Sequence, residues 1–429
     1  MTTRVFRLTC AVLFAAAWGG CASLPVTAPA PRAAQTPTEV NVARFLPVGF
    51  AQDGSVSYES ALQLALDHSP DGATIVFPPC IFRLESAAGL RVPANRTLVL
   101  DGATFLFAAE IDRDGEAFLL DGVSEVTVQG GTIIGRRDEW PESVNVAGIR
   151  VRGSGAHIRV EGTRFYDLSS NAVGVFGDSL DHPLRNVWIE DIYTENCCNL
   201  YYDYLSEQRG PAEGSLREDQ GAICFYNVSD FVVQGSYLDG SRSDGTHFKG
   251  CRNGQITDNQ IVNSQMGGFF LEGCQNIVAT GNLMRNNGSR GCTIERDSTD
   301  CILSNNIVER SGREGLWAPD VARIVVSGNI FRENGQKDDE DKDSEIRIND
   351  ESRYPTVPAD IRIEGNVFQS TKHCNGVIQV NAGAGPGISI SNNSFTGPVR
   401  TLIIESSFEV LVAGNTGLNQ DAPAQPRAR

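Results

Sequence analysis

Three side chains able to carry charge, Lys249, Glu272 and Glu295, recur at intervals of 23 residues in the 429-residue chain. Two positions ahead of them runs a second series, His247, Phe270, Thr293 and Trp317, at intervals of 23, 23 and 24. Asp244 and Arg290 stand immediately before glycines at the head of these segments. Such a set supports two chemistries. A base and a cation together can remove a proton beside a carboxylate whose charge the cation neutralises. Alternatively, two carboxyl groups about 5 Å apart can act as acid and nucleophile in acetal cleavage. Phe270 and Trp317 add flat apolar faces on which a ring can stack.

These residues meet only if the chain is coiled with the same period. Gly245, Gly268, Gly291 and Gly315 recur at 23, 23 and 24, and Asn259, Asn282, Asn306 and Asn329 at 23, 24 and 23. The asparagine series continues, with longer gaps, at Asn366, Asn393 and Asn415. Two ladders with one period predict a coil of repeats. Between the ladders the apolar residues alternate, with Ile256, Ile277, Ala279, Cys301, Leu303, Ile324 and Val326 on one face, so the segments are strands. A turn of this length holding three short strands is one rung of a parallel β-helix, with rungs about 4.8 Å apart. The asparagines then stack and hydrogen-bond along the turns.

The open end of such a coil needs a cover. Residues 58–67 form a short helix with Ala61, Leu62, Ala65 and Leu66 on one side, placed to provide it. Asp53-Gly54, this helix, and Asp71-Gly-Ala-Thr-Ile-Val-Phe-Pro-Pro79 together resemble the opening of the pectate-lyase superfamily. The resemblance implies an all-β, single-stranded right-handed parallel β-helix with an N-terminal capping helix, expected over residues 45–417.

Strand alternation places Thr246 and Phe248 inside and His247 and Lys249 outside. Lys249, Glu272 and Glu295 then form one outward column, and His247, Phe270, Thr293 and Trp317 the next, with Phe270 and Trp317 exposed. Asp244 and Arg290 lie at the rim. Arg150 and Arg152 lie on an earlier outward face, and either Phe225 or Tyr226 faces out in the rung before His247. The reading makes Asp244, His247, Lys249, Glu272 and Glu295 the catalytic candidates. Arg150, Arg152, Tyr226, Phe270, Arg290, Arg296 and Trp317 are the substrate-binding candidates. Tyr201, Tyr202, Tyr204, Arg209 and Arg217, in the insertion 199–220, are placed to wall the groove.

Residues 244–330 are most similar to the catalytic modules of mannuronan C5-epimerases, and Gly291 to Asn306 match their repeat in length and phase. Where that family carries Asp-Pro-His after the glycine, this chain has His247-Phe248-Lys249, and Asp244 replaces a tyrosine. Glu272 takes the place of an outward acid on the family's next rung. Ser243-Asp244-Gly245 also resembles an aspartate motif of polygalacturonases, whose aspartate pair is Gly267-Gly268 here. Lys249 stands where chondroitinase B-type lyases carry a strand lysine. These resemblances imply a polysaccharide partner and, first, a uronate-polysaccharide lyase or epimerase. In that reading His247 or Tyr226 is the base, and Lys249, with Arg290 or Arg296, neutralises the substrate carboxylate. A glycoside hydrolase using Asp244, Glu272 and Glu295 is the second reading, and a non-catalytic glycan-binding or envelope-structural β-helix the third.

Arg4 and Arg7, an apolar run from Leu8 to Trp18, and small residues to Ser23 make residues 1–21 a secretory signal. Gly20-Cys21-Ala22 resembles a lipoprotein signal, so simple cleavage and lipidation at Cys21 are both open. Secretion, the periplasm or an outer-membrane lipid anchor would each place the protein outside the cytoplasm. Residues 22–44, rich in Ala, Pro and Thr, read as a linker, and 418–429 as a tail. The net charge of −17 excludes a nucleic-acid partner, which would require a basic stripe. Cys251 and Cys274 fall at one place on consecutive rungs, suiting either a disulfide or stacked thiols. No Cys or His cluster has metal-ligand spacing, so no cofactor or metal is expected; the acidic run Asp338–Asp341 could take calcium but reads as a solvated loop.

Overall fold

The computed structural model describes residues 38–141, 143–199, 220–337 and 343–419. The proposed signal, Cys21, the groove-wall residues Tyr201 to Arg217 and the Asp338–Asp341 run lie outside them. Three sheets, of 14, 13 and 12 strands, run the length of the coil, and every strand pairs with those one turn before and after it. All pairings are parallel, as in Thr246–Lys249 against Phe269–Glu272 and then Cys292–Glu295. The fold is the expected right-handed parallel β-helix.

The coil begins earlier than the composition suggested. Strand Glu39–Asn41 pairs with Thr74–Val76, although residues 22–44 read as linker. Val42 behind it is fully buried, and with Val40, which also packs on the core, it ties the segment down. Helix Glu59–Asp67 buries Leu62, Ala65 and Leu66 against the first rungs. Glu59 fastens it by accepting from the Ser86 hydroxyl (2.6 Å) and backbone N–H (3.0 Å).

The asparagine ladder runs unbroken from Asn259 to Asn415. Each backbone N–H and side-chain amide donates to the Oδ1 of the next asparagine, at 2.8–3.0 Å from Asn259 to Asn282, Asn306 and Asn329. Each Nδ2 also caps a carbonyl one rung below, as Asn306 does for Ala279 at 3.0 Å. The preceding residues, Asp258, Gly281, Asn305 and Gly328, all have positive φ, which favours Gly, Asn and Asp there. A second ladder, not evident from the repeat, links Ser264 to Asn287 and Ser311 to Asn334, then Asn334 to Glu345.

The core is a column of aliphatic and aromatic side chains, including stacked Phe331, Phe368 and Phe395 with centroids 5.4 and 5.0 Å apart. The repeat glycines have ordinary φ and serve close approach instead. A Cβ on Gly245 would lie 2.1 Å from the Ile261 side chain, and one on Gly291 would lie 2.2 Å from Val308. The chain therefore turns tightly into each strand of the third sheet. That turn fixes which side chains point outward on it.

Candidate functional site

On the third sheet, Thr246 and Phe248 point inward and His247 and Lys249 outward, as alternation predicts. Register pairs Tyr226 with Lys249, Lys249 with Glu272, and Glu272 with Glu295. It also pairs His247 with Phe270, Phe270 with Thr293, and Thr293 with Trp317. Phe225 packs in the core against Phe231 and Phe248, so Tyr226 is the outward residue of its rung.

Glu272 is the hub. Its Oε1 receives Lys249 Nζ at 3.1 Å and Arg296 Nη1 at 2.8 Å, and its Oε2 lies 3.3 Å from His247 Nε2. Arg296 also binds Glu295 through Nε at 2.7 Å. The other nitrogen of His247, Nδ1, lies 3.4 Å from Asp244 Oδ2. Asp244 is held in turn by the Gly267 N–H at 2.7 Å and the Gln220 amide at 3.0 Å. Gly267 makes room for this, since a Cβ there would sit 2.9 Å from Asp244 Oδ1.

Charge states follow from these contacts. Burial disfavours the charge on His247, but hydrogen bonds and attraction from Asp244 and Glu272 outweigh it and raise its pKa. Burial likewise opposes ionisation of Glu272, yet His247, Arg296 and Lys249 together hold its carboxyl far below the usual carboxylate range. Glu295 goes the other way. Burial, helped by the neighbouring Glu272 charge, overcomes Arg296 and pushes it up to about 7.

Several expectations need correcting. Asp244 is not at an open rim but buried, because the chain folds Gln220 and Gly267 over it. Phe270 and Trp317 are half-buried rather than exposed. Phe270 stacks on His247 at 4.5 Å and 21°. Trp317 lies under Arg290, 3.7 Å from its guanidinium, and donates to Asn349 Oδ1 at 2.7 Å. Arg290 is engaged there and with Glu314 at 3.2 Å, so Arg296 is the arginine that joins Lys249 at Glu272. Arg150 and Arg152 share the two columns but lie three rungs below His247 and Lys249; Arg150 is buried, with Glu116 at 3.8 Å. Cys251 and Cys274 are buried free thiols, not a disulfide.

Four contributors were not singled out from sequence: Gln220, Glu314, Asn349 and Tyr354, whose ring centroid lies 5.9 Å from the Arg296 guanidinium carbon. Glu314 was within reach, since it precedes Gly315 as Arg290 precedes Gly291. Tyr354 lies in an insertion outside the repeat and gave no periodic signal. Among the described residues, no group of three or more His, Cys, Asp or Glu side chains is arranged to hold a metal ion.

No curated protein matches the chain by sequence. Several solved structures share its fold at low identity. A mannuronan C-5 epimerase A-module of Azotobacter vinelandii is 15% identical, with TM-score 0.60, covering 90% of this chain and all of that one. The surface adhesin PfbA of Streptococcus pneumoniae is 13% identical (TM-score 0.58), with 88% and 91% covered. The Dettilon tailspike protein is 14% identical (TM-score 0.62), with 86% and 68% covered. Identities this low establish the architecture alone. A family model for the right handed beta helix region matches residues 116–295 and 221–395, more than half the sequence. With its three parallel sheets and continuous asparagine ladder, the chain belongs to the right-handed β-helix family.

Proposed function

We propose that the strip from Tyr226 to Trp317 is the active site of an exported enzyme that acts on a uronate polysaccharide by proton abstraction beside the sugar carboxylate. One observation carries this reading: the most accessible members of the charged cluster are cations, while every acid in it is buried. The side chains of Lys249 and Arg296 are 47% and 32% exposed, against 10% for Glu272, 4% for Glu295 and 2% for Asp244. An approaching chain meets an ammonium and a guanidinium, groups suited to a carboxylate. The mannuronan C-5 epimerase A-module among the structural neighbours is consistent with this substrate class.

Lys249 and Arg296 would receive the carboxylate and stabilise the negative charge that develops when the adjacent C–H is broken. His247 faces a carboxylate at each ring nitrogen, Asp244 at 3.4 Å and Glu272 at 3.3 Å, and so has no nitrogen free to act as the base; that role falls to Tyr226, whose ring lies 5.7 Å from Lys249 Nζ. In elimination, Tyr226, acting as its phenolate, takes the proton and becomes the neutral phenol, a C=C bond forms as the glycosidic C–O bond breaks, and Glu295 protonates the departing oxygen. In epimerisation the C–O bond survives and a proton returns to the opposite face.

The test is a panel of uronate polysaccharides followed by ultraviolet absorbance of the unsaturated product and by deuterium uptake at the carbon beside the carboxylate. Lys249→Ala and Arg296→Ala should each slow turnover about 10²-fold or more. Absence of both signals on every polyuronate would overturn the reading.

A hydrolase is the second reading, favoured by the divergent environments of Glu272, held ionised, and Glu295, holding a proton up to about 7. Their positions on adjacent strands, about 4.8 Å apart, suit a retaining pair. New reducing ends without unsaturated product would select it.

A further inference from the structure

The loop of residues 350–358 leaves the third sheet after strand Ile346–Asn349, two rungs above Cys292–Glu295. It does not run directly on to the next strand, Ala359–Glu364. It descends until Tyr354 reaches Arg296, with the guanidinium carbon 5.9 Å from the ring centroid. Two hydrogen bonds pin it there. The Glu351 N–H donates to Asp320 Oδ1 at 2.8 Å, and the Thr356 N–H donates to Asp297 Oδ1 at 3.0 Å. Asp297 directly follows Arg296, and Asp320, which stands opposite Arg296 one rung up, accepts the Asp297 N–H through its carbonyl at 2.9 Å. The pins therefore sit on the same turns that end the acid column.

The strand order gives this a consequence. Along strand Cys292–Glu295, Thr293 belongs to the column that carries Phe270 and Trp317, and Glu295 and Arg296 come after it. The Lys249–Glu272–Glu295 column therefore has the Phe270–Thr293–Trp317 column beside it, and Tyr354 stands at the Arg296 guanidinium that binds Glu272 and Glu295. Tyr354 remains 37% exposed, although it is fixed against a cation and its loop is anchored at both ends.

We propose that Tyr354 is a substrate-contacting residue, stacking on the sugar ring whose carboxylate Lys249 and Arg296 receive. This rests on the uronate reading of the same site. The ring offers a rigid apolar face at little entropic cost, and the cation beside it places the sugar's carboxylate and its ring on adjacent partners.

The experiment is calorimetric binding of oligouronates prepared from polymannuronate and polygalacturonate to the full chain and three variants. Tyr354→Ala should weaken binding about tenfold, the scale of one stacking contact, while Tyr354→Phe stays within about twofold. Thr356→Pro keeps the ring but removes the N–H that pins it to Asp297, and should also weaken binding several-fold. Unchanged melting temperatures would show that each variant remains folded. If the wild type binds and Tyr354→Ala binds equally well, the role of Tyr354 is refuted and the uronate reading stands. If the wild type binds no oligouronate, both fall together.

Discussion

His247 Nε2 lies 3.3 Å from Glu272 Oε2 across one rung, while Asp244 sits 3.4 Å from the opposite ring nitrogen. An imidazole with a carboxylate at each nitrogen is best satisfied as the cation, with both nitrogens donating. Its pKa is accordingly raised above the ordinary 6.5 despite burial. A raised folded-state value means the stabilisation is fully present below pH 6.5 and is lost as pH rises through the folded-state value. Imidazole resonances followed by NMR should show His247 still protonated at a pH where exposed histidines have titrated. Asp244→Asn removes one carboxylate and should move that midpoint downward. An unmoved midpoint would mean Asp244 does not set the charge of the ring.

Glu295 carries the prediction for activity. Burial and the Glu272 charge push it up to about 7, so below that pH it holds a proton it can give to a departing oxygen. The rate should fall as pH rises through about 7 while substrate binding changes little. Glu295→Gln keeps the shape but cannot donate a proton, and should lower kcat about 10²–10⁴-fold and erase that alkaline limb. A pH–rate profile of wild type and variant decides this. An alkaline limb that persists in Glu295→Gln would assign it to another group.

Much of this arrangement was legible in the sequence because period and phase are local properties. The near-constant spacing of Asn259, Asn282, Asn306 and Asn329 identified the ladder, and alternation placed Lys249, Glu272 and Glu295 in one column. The Phe225–Tyr226 ambiguity was different in kind. Both residues are large and apolar enough for either face, and only pairing with Phe248 and Lys249 decides between them. Burial was less legible than direction. His247 points outward as expected and Asp244 was expected at the rim, yet both are covered, because packing around them, including Gln220, lies outside the repeat. Tyr354 was invisible for the same reason, since its partner Arg296 is 58 residues away with no periodic relation.

The asparagine ladder makes a stability prediction that depends on position. Asn306 Oδ1 accepts two donors from Asn282, and its Nδ2 donates to Ala279, Ser304 and Asn329. Asn306→Ala leaves several of these groups buried without partners and should cost about 2–4 kcal/mol in urea unfolding. Asn415 ends the ladder and is only half-buried, so water can replace part of what it supplies. Asn415→Ala should cost less than half as much. Equal costs would indicate that ladder continuity, rather than the satisfaction of each buried amide, sets its contribution.

Glu345 sets the last expectation. It is fully buried at the end of the second ladder, its Oε1 accepting from the Asn334 N–H at 3.2 Å and its Oε2 from the Asn334 side-chain amide at 2.5 Å. Burial raises its pKa from the ordinary 4.5 to about 8, opposed only in part by Asn334. Between those values the unfolded chain releases this proton and the folded chain keeps it. Its contribution is therefore fully present below pH 4.5 and declines as pH rises through about 8. Urea unfolding of the wild type should show the coil weakening across this window, with a component that Glu345→Gln abolishes because glutamine does not titrate. The variant loses one acceptor toward Asn334, so its absolute stability can fall at acidic pH. The slope with pH is the diagnostic quantity, and an unchanged slope would show that Glu345 is not the group responsible.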